Sequence, residues 1–529
     1  MMYRDWREVT KTLLSSKDQM KPSNLPKSYM KRAETKVYVK WVIEEIKKDR
    51  ASFNEFANGK GIIATREKFL KFLKTKEGME ELASAGVRNV NEKDASVATP
   101  EKFDKTIIVP VAIPGCGAFF HSRFILSAFS FFSFKIGKTS VSLALAHIFG
   151  FGHTQSDDVH SKKPAQIFIK NVVDLLNKHD VVIADKYVTS LYDLKFCSTS
   201  LYDRNNHLKQ HRRSLRDAIS KFSQPVRLLA LNWSLDQPPA TIHRICGDRV
   251  QLRGDNHQTL RADPSSKSHE HVIWMLINGT EELTPSEVDN VVEMELAESL
   301  EESVKRAVEG CVAVMGLEMP SDEKIQEGLD KVRGYSPTVK KPDDPKDKKK
   351  FDVRYYGLLP EIDLEELVDS ALANEPQSNK DFWNQLKTDN RVTKRPHVTI
   401  VHKNNINIEA ELWKRCTALH EMSTAVPPSF KVRLSNLVWD GRVMAITVED
   451  FDVEAEGSSE SCAGREFVSN LPSPTRTRLH ITVGTHNGVK AVEAGSMVEH
   501  WKRGEELESI KSIKLDDRIV YGRIKGLIA

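Results

Sequence analysis

The stretch that decides the fold lies in two pieces of the chain. Residues 106–117 read Thr-Ile-Ile-Val-Pro-Val-Ala-Ile-Pro-Gly-Cys-Gly, and residues 137–140 read Gly-Lys-Thr-Ser. Joined, they predict a buried β-strand, a glycine loop and then a helix over 138–149. Such a Walker A loop wraps backbone N–H groups around nucleotide phosphates, while its lysine supplies a charge and its threonine hydroxyl binds Mg²⁺. The joined pattern departs from the consensus at Ala112, where a glycine is usual.

The two halves of this loop define the candidate nucleotide site. The predicted nucleotide-binding residues in the loop are Gly115, Cys116, Gly137, Lys138, Thr139 and Ser140. Thr139 is the first candidate Mg²⁺ ligand. Asp185, at the end of a predicted strand, is the second candidate ligand.

Residues 118–136 separate the halves and contain a phenylalanine-rich run. We interpret them as a retained intron, because codons compatible with the amino acids at both edges form an in-frame splice donor and acceptor. Residues 187–204 have the same property. The alternative is a genuine loop insertion, which costs little loop entropy, but the interior of a phosphate loop is an unfavourable place for one.

Composition restricts the classes of protein. The chain has 529 residues, a formal net charge of +4 and six cysteines without a CxxC pair. We therefore expect several domains, a reducing nuclear or cytoplasmic compartment, no structural zinc and a monomer. Lysine-rich segments at 17–74 and 338–350 are where we expect RNA to bind. No signal peptide is visible, and the aromatic run at 124–134 is shorter than the roughly 20 residues that span a bilayer.

The pattern predicts an α/β multidomain protein. Residues 1–100 form a small helical segment, and 106–335 alternate strands and helices, as in a parallel-sheet P-loop kinase. A proline- and lysine-rich linker covers 336–350, and 351–529 form an α+β unit. Within 106–335 we predict strands at 106–113, 180–184 and 226–232, and helices at 138–149, 164–177 and 206–222. Within 351–529 we predict strands at 352–358, 397–402, 430–437, 442–449 and 479–484, and helices at 363–373, 379–388 and 407–421.

Two further motifs fit phosphoryl transfer. Asp157, which follows a short strand-like run, is placed to take the proton from an attacking hydroxyl. The alternative role is a helix N-cap before Val159. Arg249 and Arg253 are four residues apart and share a face on a helix, where two guanidinium groups can bind phosphate. The alternative for this pair is a solvated surface.

The C-terminal unit contains the most specific signal. His397-Val-Thr399 and His480-Ile-Thr482 are two His-x-Thr repeats in apolar, strand-like surroundings. On a strand, His and Thr two residues apart face the same side. Two neighbouring strands would therefore place two imidazoles and two hydroxyls in one groove. One His can deprotonate water while the other protonates a leaving ribose oxygen, and the hydroxyls can hold phosphoryl oxygens.

A P-loop, a proline–lysine linker and a paired His-x-Thr unit, in this order, resemble the C-terminal part of the fungal tRNA ligases. That resemblance implies a polynucleotide 5′-hydroxyl kinase that prefers GTP over ATP and a 2H-superfamily 2′,3′-cyclic phosphodiesterase. Its substrates would be tRNA exon halves. Residues 1–100 resemble the end of the RNA ligase module, whose nucleotidyltransferase core would lie upstream of Met1. RNA sealing is therefore not expected of this chain.

The resemblance also implies roles for the candidate residues. Asp157 would be the kinase base, with Arg249 and Arg253 as lid cations. His397 and His480 would be the acid–base pair of the phosphodiesterase, in an order that the sequence leaves open. Three alternatives stand beside this interpretation: only the phosphodiesterase is active because the P-loop is split, the chain is a non-catalytic tRNA-binding remnant, or it forms 2′,5′ linkages.

Overall fold

The computed structural model describes most of the chain as two compact units, residues 1–102 and 103–529. The described residues are 9–14, 33–57, scattered positions in 65–81, 103–116, 137–156, 159, 164–185, 206, 208–220, 222–253, 268–284, 286–335, 352–422, 427–454, 459–505 and 509–528. Among them, no helix is both long and apolar enough to cross a membrane. The two suspected inserts, the predicted linker at 336–350 and Asp157 lie outside the described residues.

The first unit is helical where it is described, as the sequence predicts. Its helices are α1 (Ala33–Lys48) and α2 (Arg50–Ala57), with a further helical segment at 9–14. Apolar residues spaced three and four apart on α1 bury an aromatic cluster. Trp41, for example, lies 4.9 Å from Phe69 and 6.0 Å from Phe53 between ring centroids.

The second unit begins with a five-stranded parallel sheet in the order β2-β3-β1-β4-β5. Its strands are β1 (Lys105–Val111), β2 (Gly152–Gln155), β3 (Val181–Asp185), β4 (Val226–Trp233) and β5 (Asn290–Met294). Its helices are α3 (Lys138–Phe149), α4 (Pro164–Leu176), α5 (Lys209–Ile219), α6 (Pro239–Arg253), α7 (Ser268–Gly279), α8 (Leu300–Met315) and α9 (Asp322–Gly334). The predicted parallel-sheet layout is therefore confirmed.

The continuous apolar sequence of β1 explains its central place. Ile108 packs into the core on one face of the sheet, whereas Ile107 and Val109 pack into the core on the other. A strand that is covered on both faces has no position for a polar residue, which is why its hydrophobic run does not alternate.

The C-terminal part is a closed antiparallel barrel in the order β10-β7-β6-β11-β8-β9. Its strands are β6 (Tyr355–Pro360), β7 (Val398–His402), β8 (Phe430–Trp439), β9 (Val443–Val453), β10 (His480–Thr485) and β11 (Lys511–Leu527). Its helices are α10 (Leu364–Ala371), α11 (Gln377–Thr388), α12 (Ala410–Glu421), α13 (Ser459–Ser469), α14 (Ser473–Thr477) and α15 (Val492–Arg503). The five predicted strands and three predicted helices are present with small shifts at their ends.

Candidate active sites

The two halves of the phosphate loop meet in space. Cys116 ends the first described half, and Gly137 begins the second as the N-cap of α3. A Cβ placed on Gly137 would lie 3.9 Å from the Cys116 carbonyl oxygen, so the backbone returns to the point where it left. The two described halves of the loop therefore come together at one place, as the joined sequence pattern requires.

Glycine is required at position 115 for two reasons. Its φ of +86° lies in the left-handed region, which side chains with a Cβ rarely adopt. A Cβ there would also lie 2.5 Å from the carbonyl oxygen of Cys246 on α6. The loop is thus packed directly against α6, and the thiols of Cys116 and Cys246 are 3.8 Å apart.

Lys138 and Asp185 form a buried ion pair at the carboxyl edge of the sheet. Their side chains are 5% and 1% exposed, so each charge depends on the other. Burial alone would raise the pKa of Asp185. Lys138, followed by His153 and the Thr139 hydroxyl, reverses this and holds the pKa below its usual value. The lysine of the loop and the aspartate of β3 therefore share one charged centre.

This centre has the ligands that Mg²⁺ prefers. Oδ2 of Asp185 is buried and accepts no hydrogen bond from the described residues. A hydroxyl, that of Thr139, acts on the same carboxylate. Hard oxygen ligands of this kind, few in number, suit Mg²⁺ bound together with substrate phosphates. The residues present therefore fit the metal that the sequence predicts.

Asn206, which the sequence analysis did not single out, connects the carboxyl ends of β1 and β3. Its amide nitrogen donates to the carbonyl oxygens of Pro110 at 3.2 Å and Ala184 at 3.3 Å. Its own carbonyl accepts from the buried Arg212 at 2.8 Å. Asn206 therefore holds the chain beside the carboxyl ends of β1 and β3, close to the point where β3 ends at Asp185.

Arg249 occupies a different environment from the one predicted for a lid cation. It is 3% exposed and donates to the carbonyl oxygens of Gly115 at 3.2 Å and Leu296 at 2.6 Å. These contacts fix the phosphate loop against α6. Arg253 is the last residue of α6, and its side chain lies outside the described part of the structure.

The His-x-Thr repeats lie side by side on β7 and β10. The strands are antiparallel, with Ile481 opposite Val398. This register places His480 opposite Thr399 and Thr482 opposite His397. The intervening residues Val398 and Ile481 are both 0% exposed and point into the core, so the His and Thr side chains share the opposite face.

Both imidazoles are held in the same way. Nδ1 of His397 donates to the carbonyl oxygen of Arg395 at 2.9 Å, and Nδ1 of His480 donates to that of Arg478, also at 2.9 Å. A carbonyl only accepts, so Nδ1 carries the proton in the neutral ring and Nε2 is the nitrogen available for proton transfer.

Burial is the main cause that lowers both histidine pKa values. Burial, together with the charges of Arg395 and His480, lowers the pKa of His397 to about 4. The pKa of His480 is also lowered, by burial and by the charges of Lys502 and Arg478. These lowered pKa values keep both imidazoles neutral at neutral pH.

Gly495 of α15 lies against the His480 ring. A Cβ on Gly495 would lie 3.2 Å from Cε1 of His480, so a small residue is needed there.

Comparison with known proteins agrees with this geometry. Residues 291–528 match the fungal tRNA ligase phosphodiesterase domain. Residues 133–195 and 188–293 match the tRNA ligase kinase domain in two pieces that meet inside the second suspected insert. The parallel-sheet fold nevertheless extends beyond residue 293. Its last strand is β5, and α8 and α9 pack in the core on one face of the sheet.

Two curated relatives align with nearly the whole chain. Schizosaccharomyces pombe tRNA ligase 1 is 24% identical over 96% of this chain, and Candida albicans tRNA ligase is 25% identical over 97%. The chain spans 59% of the length of each relative. A crystal structure of a fungal RNA kinase aligns with 79% of this chain and 98% of its own, at 19% identity and a TM-score of 0.32.

The sequence motifs, the two sites and the matched domains agree. This chain carries the kinase and cyclic phosphodiesterase domains of the fungal tRNA ligases, and it is a distant homologue of those enzymes over most of its length.

Proposed function

We propose that the two regions of this chain are built to heal the two ends of cleaved tRNA exon halves during tRNA splicing. The phosphodiesterase region hydrolyses a 2′,3′-cyclic phosphate to a 3′-hydroxyl and a 2′-phosphate. The kinase region transfers a phosphoryl group, from GTP in preference to ATP, to a 5′-hydroxyl once residues 118–136 and 187–204 no longer interrupt its site. The observation that carries this proposal is the face on which each His of one strand stands opposite a Thr of the next.

Hydrolysis on this face requires one proton to be removed and one to be supplied. Water attacks phosphorus while one Nε2 takes its proton, the bond from phosphorus to O3′ breaks, and the other imidazole protonates O3′. We assign His397 as the base, because its pKa of about 4 keeps it neutral over the working pH range. His480 is then the acid, and the anionic phosphate between the rings favours its protonated form. Thr399 and Thr482 hold the phosphoryl oxygens.

For the kinase we assign the donor phosphates to the loop residues Gly115, Cys116, Gly137, Lys138 and Ser140. Thr139 and Asp185 would hold Mg²⁺, which neutralises charge on the transferred phosphoryl group. Asp157 takes the proton of the attacking 5′-hydroxyl. Arg249 fixes the loop through the Gly115 carbonyl, and Arg253 remains the candidate lid cation.

The phosphodiesterase assignment is tested with RNA that ends in a 2′,3′-cyclic phosphate. The unsubstituted chain should yield only the 2′-phosphate, and His480→Ala should abolish the product. His486→Ala is the matched control, because His486 lies beyond the end of β10 and, among the described residues, its ring bonds the Asn487 carbonyl alone. A folded chain that binds the RNA but leaves the ring closed, with His480→Ala binding equally well, would instead support a non-catalytic RNA-binding role.

A further inference from the structure

The arginines that precede the two catalytic strands are held by different parts of the molecule. Arg478 stays within the barrel, where it donates to the Ile400 carbonyl at 3.1 Å and to the Glu409 carboxylate at 2.7 Å. Arg395 instead lies over the indole of Trp274 on α7, 4.7 Å from the ring centroid. The two otherwise similar halves of the site therefore differ in what supports them.

Within the described part of the chain, Arg395 has no comparable polar support. Its Nε is buried and finds no hydrogen-bond acceptor among those residues, and none of their carboxylates forms an ion pair with its guanidinium. A cation over an indole face is stabilised by the ring electrons, the more so when water is excluded. Trp274 is therefore the main partner that the structure shows for this side chain.

Trp274 is itself fixed. It is 3% exposed, and its ring stacks on that of His243 at 4.7 Å with an interplanar angle of 20°. It packs in an apolar cluster with Ala240 of α6, Leu359 of β6 and Leu527 of β11. An indole that stacks on the His243 ring and is buried among apolar side chains offers Arg395 a rigid surface.

Charged pairs on both sides of this cluster fix the kinase helices to the barrel. Lys525 of β11 donates to Glu270 of α7 at 2.7 Å, with both side chains about one-tenth exposed. Arg523, two residues earlier on the same face of β11, donates to Asp248 of α6 at 2.5 Å. Removal of either partner would leave a poorly solvated charge, so the register between α7 and the barrel is well defined.

Arg395 reaches the catalytic histidine through its backbone. Its carbonyl oxygen is the acceptor that orients the His397 ring, and the Tyr355 ring packs 4.9 Å from that imidazole. Movement of the Arg395 side chain off Trp274 would release this carbonyl. The orientation of the ring would then depend on Tyr355 and on the β7 backbone alone.

We propose that Trp274 of the kinase region is a positioning residue for the phosphodiesterase, because it anchors Arg395 and thereby orients His397. This inference rests on the proposed cyclic phosphodiesterase activity. It makes the kinase helices α6 and α7 a structural part of the second active site.

The test uses the full chain and RNA with a 2′,3′-cyclic phosphate end. In Trp274→Ala, kcat should fall about tenfold with little change in KM, because ring orientation acts on the chemical step. Trp274→Phe, which keeps an aromatic face, should recover most of the loss. Leu276→Ala, on the same helix but in the kinase core, is the matched control for loss of stability and should leave kcat unchanged.

Arg395→Met provides a second variant that does not disturb the kinase interior. Its loss in kcat should resemble that of Trp274→Ala, and the double variant should lose little more, since both act through one contact. NMR titration should show the His397 pKa rising from its lowered value while that of His480 stays. If the unsubstituted chain is active and the single variants keep their kcat, or if their losses multiply, the inference is wrong. An inactive unsubstituted chain would overturn the proposed function first.

Discussion

The phosphate loop and the His–Thr face represent two ways of building an active site in one chain. The loop depends on backbone that comes together from residues 115–116 and 137–140, across a long intervening segment. The His–Thr face depends on two uninterrupted strands whose register is fixed by buried neighbours such as Val398 and Ile481. A site on paired strands is specified by the local alternation of buried and site-facing residues. A site on a loop depends instead on the segment that separates the two halves of that loop.

The difference has a physical basis. A one-residue slip on β7 or β10 would turn the His and Thr side chains toward the core, so an insertion there would be disruptive. In the kinase region, Gly137 lies beside Cys116, and Asn206 bonds the carbonyl oxygens of Pro110 and Ala184, so the described sheet is complete around both junctions. We expect the two intervening segments to affect the chemistry of this site more than the fold of its sheet.

The largest expected effect concerns the His–Thr face of the barrel. His397→Ala should lower the rate of cyclic phosphate opening by about 10²- to 10⁴-fold, the usual contribution of a positioned base. Donor-nucleotide binding at the loop should be unchanged, because the two sites share no catalytic residue. The measurement is kcat/KM for ring opening beside nucleotide affinity. Loss of both functions would show that the variant had unfolded or that the sites are not separate.

The second effect concerns the buried pair in the kinase. Lys138→Met should lower the free energy of unfolding of the parallel-sheet region by about 3–5 kcal/mol, because Asp185 would be left buried and unpaired. Adding Asp185→Leu should restore much of the loss. Lys431→Met, which breaks an exposed pair at 3.5 Å, should cost less than about 1 kcal/mol. Denaturant unfolding measures all three, and equal costs for Lys138 and Lys431 would contradict the account.

The third effect is a dependence of stability on pH at the junction of the two regions. Burial, aided by Lys525 and Arg395, lowers the pKa of His243 to about 3. Below pH 6.5, His243 binds a proton in the unfolded chain but stays neutral in the folded chain, so the free energy of unfolding falls as the pH falls. Each such group contributes a slope of about 1.4 kcal/mol per pH unit.

The pH window from 6.5 to 5 isolates histidines, because carboxylates stay ionised there in both states. His243→Phe keeps a ring on Trp274 and should remove one proton's share of the slope. Unfolding curves recorded across this window test it. An unchanged slope would mean that His243 is protonated in the folded protein or is not buried.

The smallest expected effect measures what the threonine hydroxyls of the His–Thr face contribute. Thr399→Val and Thr482→Val keep the shape of the strands but remove one hydrogen bond each to a phosphoryl oxygen. Each should lower kcat/KM by about five- to tenfold, in line with roughly 1 kcal/mol per hydrogen bond. Steady-state kinetics on cyclic-phosphate RNA measure this. A loss as large as that of His397→Ala would mean that the threonines carry more than binding.

Much of the fold could be predicted because local signals agreed with burial. The α3 helix was predicted at its observed residues, since a glycine N-cap and a glycine C-cap enclose an apolar run. Strands β1 and β4 were equally visible as largely apolar segments. The His–Thr strands could be found because apolar residues there alternate with histidines and threonines, which are candidates for acid–base chemistry.

Other features depend on contacts that no local pattern encodes. No strand was predicted for residues 511–527, where β11 carries charged residues such as Arg523 and Lys525 that pair with acidic residues of α6 and α7. Arg249 was predicted as an open phosphate ligand, but its bonds to backbone carbonyls depend on how α6 packs on the loop. Asn206 gave no signal beyond its place after the second insert.

The most direct test of the account is an end-chemistry assay on two chains. One is the chain as it stands. The other lacks residues 118–137, so that Gly117 precedes Lys138 in place of Gly137, and also lacks residues 187–204. Both receive RNA with a 5′-hydroxyl and a 2′,3′-cyclic phosphate, with GTP and Mg²⁺. The account predicts that both chains open the cyclic end equally, while 5′ phosphorylation appears only in the shortened chain. Equal phosphorylation by both chains, or a bare 5′ end in both, would contradict the claim that a complete kinase site is interrupted by these two segments.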